Sequence, residues 1–135
     1  LDKIFVDTAA WIALLNTSDT LHQSAFQVMN QLKQQKVFLL TTEFVLLEVA
    51  DALCAPNVRA KTITFVNGLR QLNILEIIPI SQTLLNNGWQ LYSQRLDKEW
   101  SLTDCISFVV MMQEQISTAF TSDHHFQQAG FIKLL

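Results

Sequence analysis

Four acidic residues stand where side chains in one crevice could do chemistry. Asp7 directly follows an apolar run in Ile4-Phe5-Val6-Asp7-Thr8, and Asp123 repeats the arrangement in Phe120-Thr121-Ser122-Asp123. Asp104 is the third residue after Ser101 in Ser101-Leu102-Thr103-Asp104, the spacing of a capping box. Taken singly, each of these three is also explained as a helix cap, since Asp accepts the orphan backbone N–H bonds at a helix start. Glu48 differs: it lies inside Phe44-Val45-Leu46-Leu47-Glu48-Val49-Ala50, on or beside an apolar helical face. An ionised carboxylate there is costly to desolvate unless it is paired or bound to a cation. Several carboxylates in one crevice repel one another, which raises their pKa values and favours hard cations between them. A set of Asp and Glu with oxygen donors only suits Mg²⁺ or Mn²⁺.

Those residues need elements to bring them together. Short apolar, β-branched runs at 4–6, 37–41, 74–80 and 117–121 predict strands, with 131–135 as a fifth. Helical periodicity fills the segments between them. A short helix covers 8–15, and 20–35 carries one amphipathic face of Leu21, Ala25, Val28, Met29 and Leu32. Residues 42–53 form a mostly apolar helix, Pro56 starts one that runs toward Leu72, and Ser81 and Ser101 cap helices that run to Leu96 and Ile116. The last of these is apolar nearly all round and is expected to be the most buried; a final turn at 126–129 ends at Gly130. Strands that are apolar continuously and alternate with helices predict an α/β fold, a three-layer sandwich with a parallel sheet of four to five strands flanked by helices. In such a fold the functional crevice lies beyond the carboxyl ends of the strands, which is where Asp7 and Asp123 fall.

Composition narrows the class. The 135 residues, half of them apolar and 16% charged, suit a single domain over 1–135 and exclude a disordered chain. No apolar run approaches the length of a membrane span, and no signal peptide is expected. Cys54 and Cys105 form no metal-ligand pattern and are expected to be buried thiols of a reducing compartment, which places the chain in the cytoplasm. Nine basic against twelve acidic residues, a net charge of −3, leave no electrostatic footprint of a general nucleic-acid binder. If such a chain engages phosphates, a bound divalent cation is one device that offsets their charge.

The order of these blocks resembles a known family. Val6-Asp7-Thr8-Ala9-Ala10-Trp11, Thr41-Thr42 with Glu48-Val49, Ser101-Leu102-Thr103-Asp104-Cys105-Ile106-Ser107-Phe108, and Thr121-Ser122-Asp123-His124-His125-Phe126 followed by Gln128-Ala129-Gly130-Phe131 are similar to the PIN-domain family across essentially the whole chain. They are most similar to its small single-domain, VapC-like toxins of type II toxin-antitoxin modules. The resemblance implies a Mg²⁺- or Mn²⁺-dependent ribonuclease. Asp7, Glu48, Asp104 and Asp123 would be its catalytic, metal-holding acids, with Thr8 and Ser122 at supporting hydroxyl positions. It implies hydrolysis of RNA phosphodiester bonds to leave a 5′-phosphate and a 3′-hydroxyl, with no side-chain nucleophile, and an inhibitory antitoxin that occupies the crevice, often with an arginine. His125 fits the family pattern, whereas a basic residue is commoner at the place of His124.

Other residues invite competing readings. Asp51, one turn after Glu48, is read as part of a solvated helix face, and His124 with His125 as an exposed pair capping a short helix. Zinc is disfavoured, because His22 and the cysteines have no closed-site spacing relative to that pair. Cys105 has no histidine tied to it by local pattern. Trp11, Trp89 and Trp100 are read as packing residues, with Trp100 near Lys98 as the one to watch for base stacking. Arg59, Lys61, Arg95 and Lys98 are the candidate RNA contacts, and the apolar excess of the second and third helices is a candidate homodimer interface. The competing function is a metal-free, catalytically inactive PIN-like interaction module, which distant acids or a lysine filling the crevice would favour.

Overall fold

The apolar runs form five strands in the computed structural model, which describes residues 3–135. These are β1 (Lys3–Val6), β2 (Phe38–Thr42), β3 (Leu75–Ile78), β4 (Thr118–Phe120) and β5 (Ile132–Lys133). All pairings are parallel and the order is β3-β2-β1-β4-β5. Seven helices fill the crossovers: α1 (Thr8–Leu15), α2 (His22–Gln34), α3 (Glu43–Ala52), α4 (Pro56–Leu69), α5 (Gln82–Gln94), α6 (Leu102–Gln113) and α7 (His124–Gln128). The chain moves outward from β1 to β2 and β3, then returns past β1 to β4 and β5. Right-handed crossovers therefore set α1 to α4 on one face and α5 to α7 on the other. Side-chain packing agrees. Trp11 of α1 meets Phe65 of α4 edge to face, while Phe5 of β1 stacks with Phe126 of α7, which in turn meets Phe108 of α6.

The core is densest around the inner strands and α6. Ile4, Phe5, Val6, Leu39, Leu40, Ala119 and Phe120 are fully buried, and in α6 every residue from Asp104 to Met111 is buried. Burial on all sides follows from the position of α6, which packs against α5, α3 and α7. The crossing with α5 is close enough that a Cβ at Gly88 would stand 2.3 Å from Ile106 Cγ1, so only glycine fits there. Trp11 Nε1 donates to Thr41 Oγ1 at 3.3 Å, and Thr41 Oγ1 donates to the Val6 carbonyl at 2.8 Å, which ties α1 to β2 and β1 through one buried hydroxyl.

Several boundaries differ from the sequence reading for identifiable reasons. Asp19 Oδ1 accepts from the backbone N–H of Leu21 at 2.8 Å, a local turn that holds the start of α2 to His22 rather than Thr20. The helices α2, α6 and α7 end in the same way. Lys36, Gln115 and Gly130 take positive φ, of 55°, 56° and 96°, and the next residue donates back to the carbonyl five positions earlier: Val37 to Leu32, Ile116 to Met111, and Phe131 to Phe126. This is the Schellman geometry with an apolar residue packed after it. Only the last of the three carries the glycine that marks such an end in sequence, so α6 stops at Gln113 and not at Ile116. Cys105 is buried as expected, but Cys54 is exposed, in the turn between α3 and α4 where its carbonyl accepts from Arg59 Nε at 2.9 Å. Among the described residues, no helix is long and apolar enough to cross a membrane.

Candidate active site

The reversal of strand order at β1 sets it beside β4, with Val6 in register with Phe120. The chain leaves both strands at the same end, so Asp7 and Asp123 flank the switch point, where a parallel sheet opens a crevice. The first turns of α3 and α6 begin at that end as well. Thr42 caps α3 by accepting from Val45 N, and Ser101 caps α6 by accepting from Asp104 N at 3.0 Å. The fold thus brings Asp7, Glu48, Asp104 and Asp123 to one crevice of about 370 Å³, which Glu99 and His125 also line.

Each acid has its own partner. Asp7 is only 3% exposed, and its Oδ2 accepts from Thr121 Oγ1 at 3.0 Å. Asp7 stands at the N-cap position of α1, but its side chain makes no capping bond into that helix beyond the Thr8 N–H. Thr121 Oγ1 also accepts from the Asp123 backbone N–H at 3.0 Å, so one hydroxyl joins the two strand-end acids. Glu48 is half-buried, and its Oε1 accepts from Thr8 Oγ1 at 2.5 Å. Among the described residues no ion pair reaches it. Asp104 completes the capping box, with its Oδ2 accepting from Ser101 N at 3.2 Å while lying 3.3 Å from His125 Nδ1. Asp123 caps α7 through His125 N at 2.9 Å, and its Oδ1 lies 3.2 Å from His125 Nδ1. His125 is therefore held between two of the acids and is not part of an exposed pair; His124 alone is exposed.

Burial and mutual repulsion shape the electrostatics. Burial pushes the Asp7 carboxyl up to about 7; the Thr8 backbone N–H and the Thr121 hydroxyl pull it down, and the charges of Asp104 and Glu48 push it further up. Asp104 is raised as well, first by burial and then by the charge of Asp123, against the opposing pull of Ser101 N–H and His125. The neighbouring Cys105 thiol is raised to about 11 by burial and by Asp104, which makes it unreactive as a nucleophile. Among the described residues, the group of three ligand atoms within 4.8 Å of one another is Asp123, His124 and His125, not the four acids.

Two crevice residues were not singled out from sequence as site residues. Thr121 was read only as a strand end, and the hydroxyl that joins Asp7 to Asp123 is its own, not that of Ser122. Glu99 adds a fifth carboxylate to the lining; its position two residues before the Ser101 cap was the available signal. Asp51 is exposed and lies outside the crevice, as do Arg59 and Lys61 on α4. Arg95 and Lys98 line a neighbouring groove.

Comparison with known proteins agrees with this fold. Residues 4–132 match the PIN domain. The chain belongs to the PIN-domain family. A similar PIN-domain relative is the 23S rRNA-specific endonuclease VapC20 of Mycobacterium tuberculosis, 27% identical over 133 residues that cover 97% of each chain. The crystal structure of that protein, described as a sarcin-ricin loop cleaving toxin, superposes with a TM-score of 0.83 at 27% identity over 96% of each chain. The PIN fold is shared more distantly with VapBC2 from Rickettsia felis bound to a promoter DNA fragment, with a TM-score of 0.72 at 15% identity over 97% of this chain and 96% of that one. FitAcB from Neisseria gonorrhoeae gives a TM-score of 0.67 at 18% identity over 96% and 95%.

Proposed function

We propose that this PIN-domain chain is a metal-dependent endoribonuclease that hydrolyses RNA phosphodiester bonds and serves as the toxin of a toxin-antitoxin module. The observation that carries the reading is the buried carboxyl of Asp7, set at the switch point of the sheet in a crevice shared with Glu48, Asp104 and Asp123. The donors are carboxylate oxygens, the crevice is open on one side, and no Lys or Arg lines it among the described residues. Such a set fits Mg²⁺ or Mn²⁺, and a crevice not filled by a lysine speaks against the inactive interaction module. Asp7, Glu48, Asp104 and Asp123 would hold the ion. When bound, it supplies the lowered pKa of an attacking water and the stabilisation of charge on the leaving oxygen.

The chain's own groups hold that set in place. The Thr121 hydroxyl fixes one oxygen of Asp7 and leaves the other for a ligand, and the Thr8 hydroxyl does the same for Glu48. The capping box fixes Asp104 on the first turn of α6, and His125 bridges Asp104 and Asp123, which keeps two like charges in one site. Water and scissile phosphate then meet against carboxylates whose rotamers are already set. VapC20 supports 23S rRNA as the first RNA to test, and an antitoxin is the partner expected of a toxin. A homodimer through the second and third helices would use exposed apolar side chains such as Phe26 on α2 and Leu47 on α3.

The test begins with the metal. Calorimetric titration of Mn²⁺ and Mg²⁺ into the protein is expected to show binding that both Asp7→Asn and Asp104→Asn lose. Incubation of the protein with intact ribosomes and Mn²⁺, read by primer extension along 23S rRNA, is expected to show discrete cleavage that Asp7→Asn abolishes. No binding at millimolar metal together with no cleavage would sink the reading.

A further inference from the structure

A second concavity adjoins the crevice and shares Glu99 and Ser101 with it. Its volume is about 670 Å³, and its walls are the outer face of α5 and the loop from α5 to α6. Trp89, expected from sequence to be a packing residue, is 57% exposed, and Tyr92 beside it is 44% exposed. They lie one turn apart on α5 with ring centroids 5.4 Å apart and planes 19° from parallel. Opposite them, the Trp100 ring is buried in packing against Phe108, and Arg95 and Lys98 lie 4.8 Å and 5.9 Å from its centroid. Two stacked aromatic rings held in water have little purpose in core packing. The free face of that stacked pair is a π-surface of the kind on which an unpaired base stacks.

We propose that this groove is a stacking subsite for an unpaired base of the RNA next to the scissile phosphate, with Trp89 and Tyr92 as the platform and Lys98 at the adjacent phosphate. The proposal rests on the ribonuclease reading of the crevice and names how that site selects RNA. A base inside a duplex hides its faces against its neighbours, so the platform favours loops, bulges and single strands. Charge plays the smaller part. Arg95 is held by Asp97 through two contacts of 3.0 Å, and Lys98 is flanked in sequence by Asp97 and Glu99. Binding is therefore expected to depend only weakly on salt, because few counterions are released.

The experiment measures binding with Ca²⁺ in place of Mg²⁺ and Mn²⁺, with gel analysis to check that the RNA stays intact, using a short labelled oligouridylate, a blunt duplex of oligouridylate with oligoadenylate, and the full chain. Anisotropy is expected to show preference for the single strand, and intrinsic tryptophan fluorescence is expected to be quenched. Trp89→Ala and Tyr92→Ala are each expected to weaken binding roughly tenfold, and Trp89→Phe to keep most of it. Both side chains are exposed, so the variants are expected to fold, which circular dichroism checks. Unchanged affinity in both alanine variants overturns the proposal, as does a wild type that does not bind the single strand. Conversion of a dimer to a monomer by Trp89→Ala in sedimentation overturns it too, by assigning the face to a second copy of the chain. In each of these cases metal binding at Asp7 and Asp104 still reports separately on the ribonuclease reading.

Discussion

A carboxyl buried to the extent of Asp7 works against the fold that contains it. Its folded pKa of about 7 lies above the ordinary 3.8, so the neutral carboxyl is the form that the folded chain favours. The stability tied to that proton is complete below the ordinary value and is lost as the pH rises through about 7. The metal-free protein is therefore expected to be more stable at about pH 4 than at about pH 8 by roughly 2–4 kcal/mol, apart from its other titrations. Urea denaturation at the two pH values measures this. Asp7→Asn is expected to flatten that dependence and, at about pH 8, to leave the metal-free protein at least as stable as the wild type, because the amide oxygen still accepts from Thr121. Thr121 is the second informative residue, since its hydroxyl donates to Asp7 and accepts from Asp123 N. Thr121→Val leaves both groups without that partner and is expected to cost roughly 1–3 kcal/mol. It is also expected to lower the cleavage rate while circular dichroism stays native. Thr121→Ser is expected to restore both.

At the scale of elements, the site depends on where helices begin, and the sheet depends on where they end. Ser101 and Thr42 fix the first turns that carry Asp104 and lead to Glu48, and the pairing of Arg70 with Glu43 ties the end of α4 to the start of α3. The Schellman ends of α2 and α6 deliver the chain into β2 and β4 through Lys36 and Gln115, both at positive φ. A side chain in that conformation is strained where glycine is not. Lys36→Gly and Gln115→Gly are each expected to stabilise the protein by about 0.5–1 kcal/mol, measurable as a higher midpoint in chemical denaturation. The contact of α5 with α6 gives the opposite expectation. Gly88→Ala forces a Cβ against Ile106 and is expected to cost about 1–3 kcal/mol by overpacking, seen as a lower melting temperature.

For the molecule as a whole, topology concentrates acid at one end of a parallel sheet in a chain that carries a net charge of only −3. Such a crevice is a poor site for phosphate until a cation enters it. Ion binding to the native state alone is linked to folding by mass action. Mn²⁺ at about a hundred times its dissociation constant is expected to stabilise the wild type by about 2.7 kcal/mol, a rise of roughly 5–10 °C in melting temperature. EDTA is expected to reverse the shift, and Asp7→Asn to abolish it. An equal shift in both proteins would mean that the ion binds elsewhere, for which Asp123, His124 and His125 are the available ligands.

The alternation of apolar runs with helical periods was enough to determine the α/β class, the parallel sheet and the end of it at which Asp7 and Asp123 stand, because these depend on local patterns and a general handedness. The capping box at Ser101 and the start of α4 at Pro56 were legible for the same reason: each is a contact within one turn of chain. What the sequence could not show were relations between distant segments. Thr121 lies 114 residues from the Asp7 that it binds, Thr8 lies 40 from Glu48, and His125 lies 21 from Asp104. The exposure of Trp89 and Cys54 was hidden for a related reason, since an apolar residue type does not state whether another element will cover it. Only the pairing of β1 with β4, and the packing of α5 on α6, decided which carboxylates share a crevice, which hydroxyl joins them and which aromatic rings remain in water.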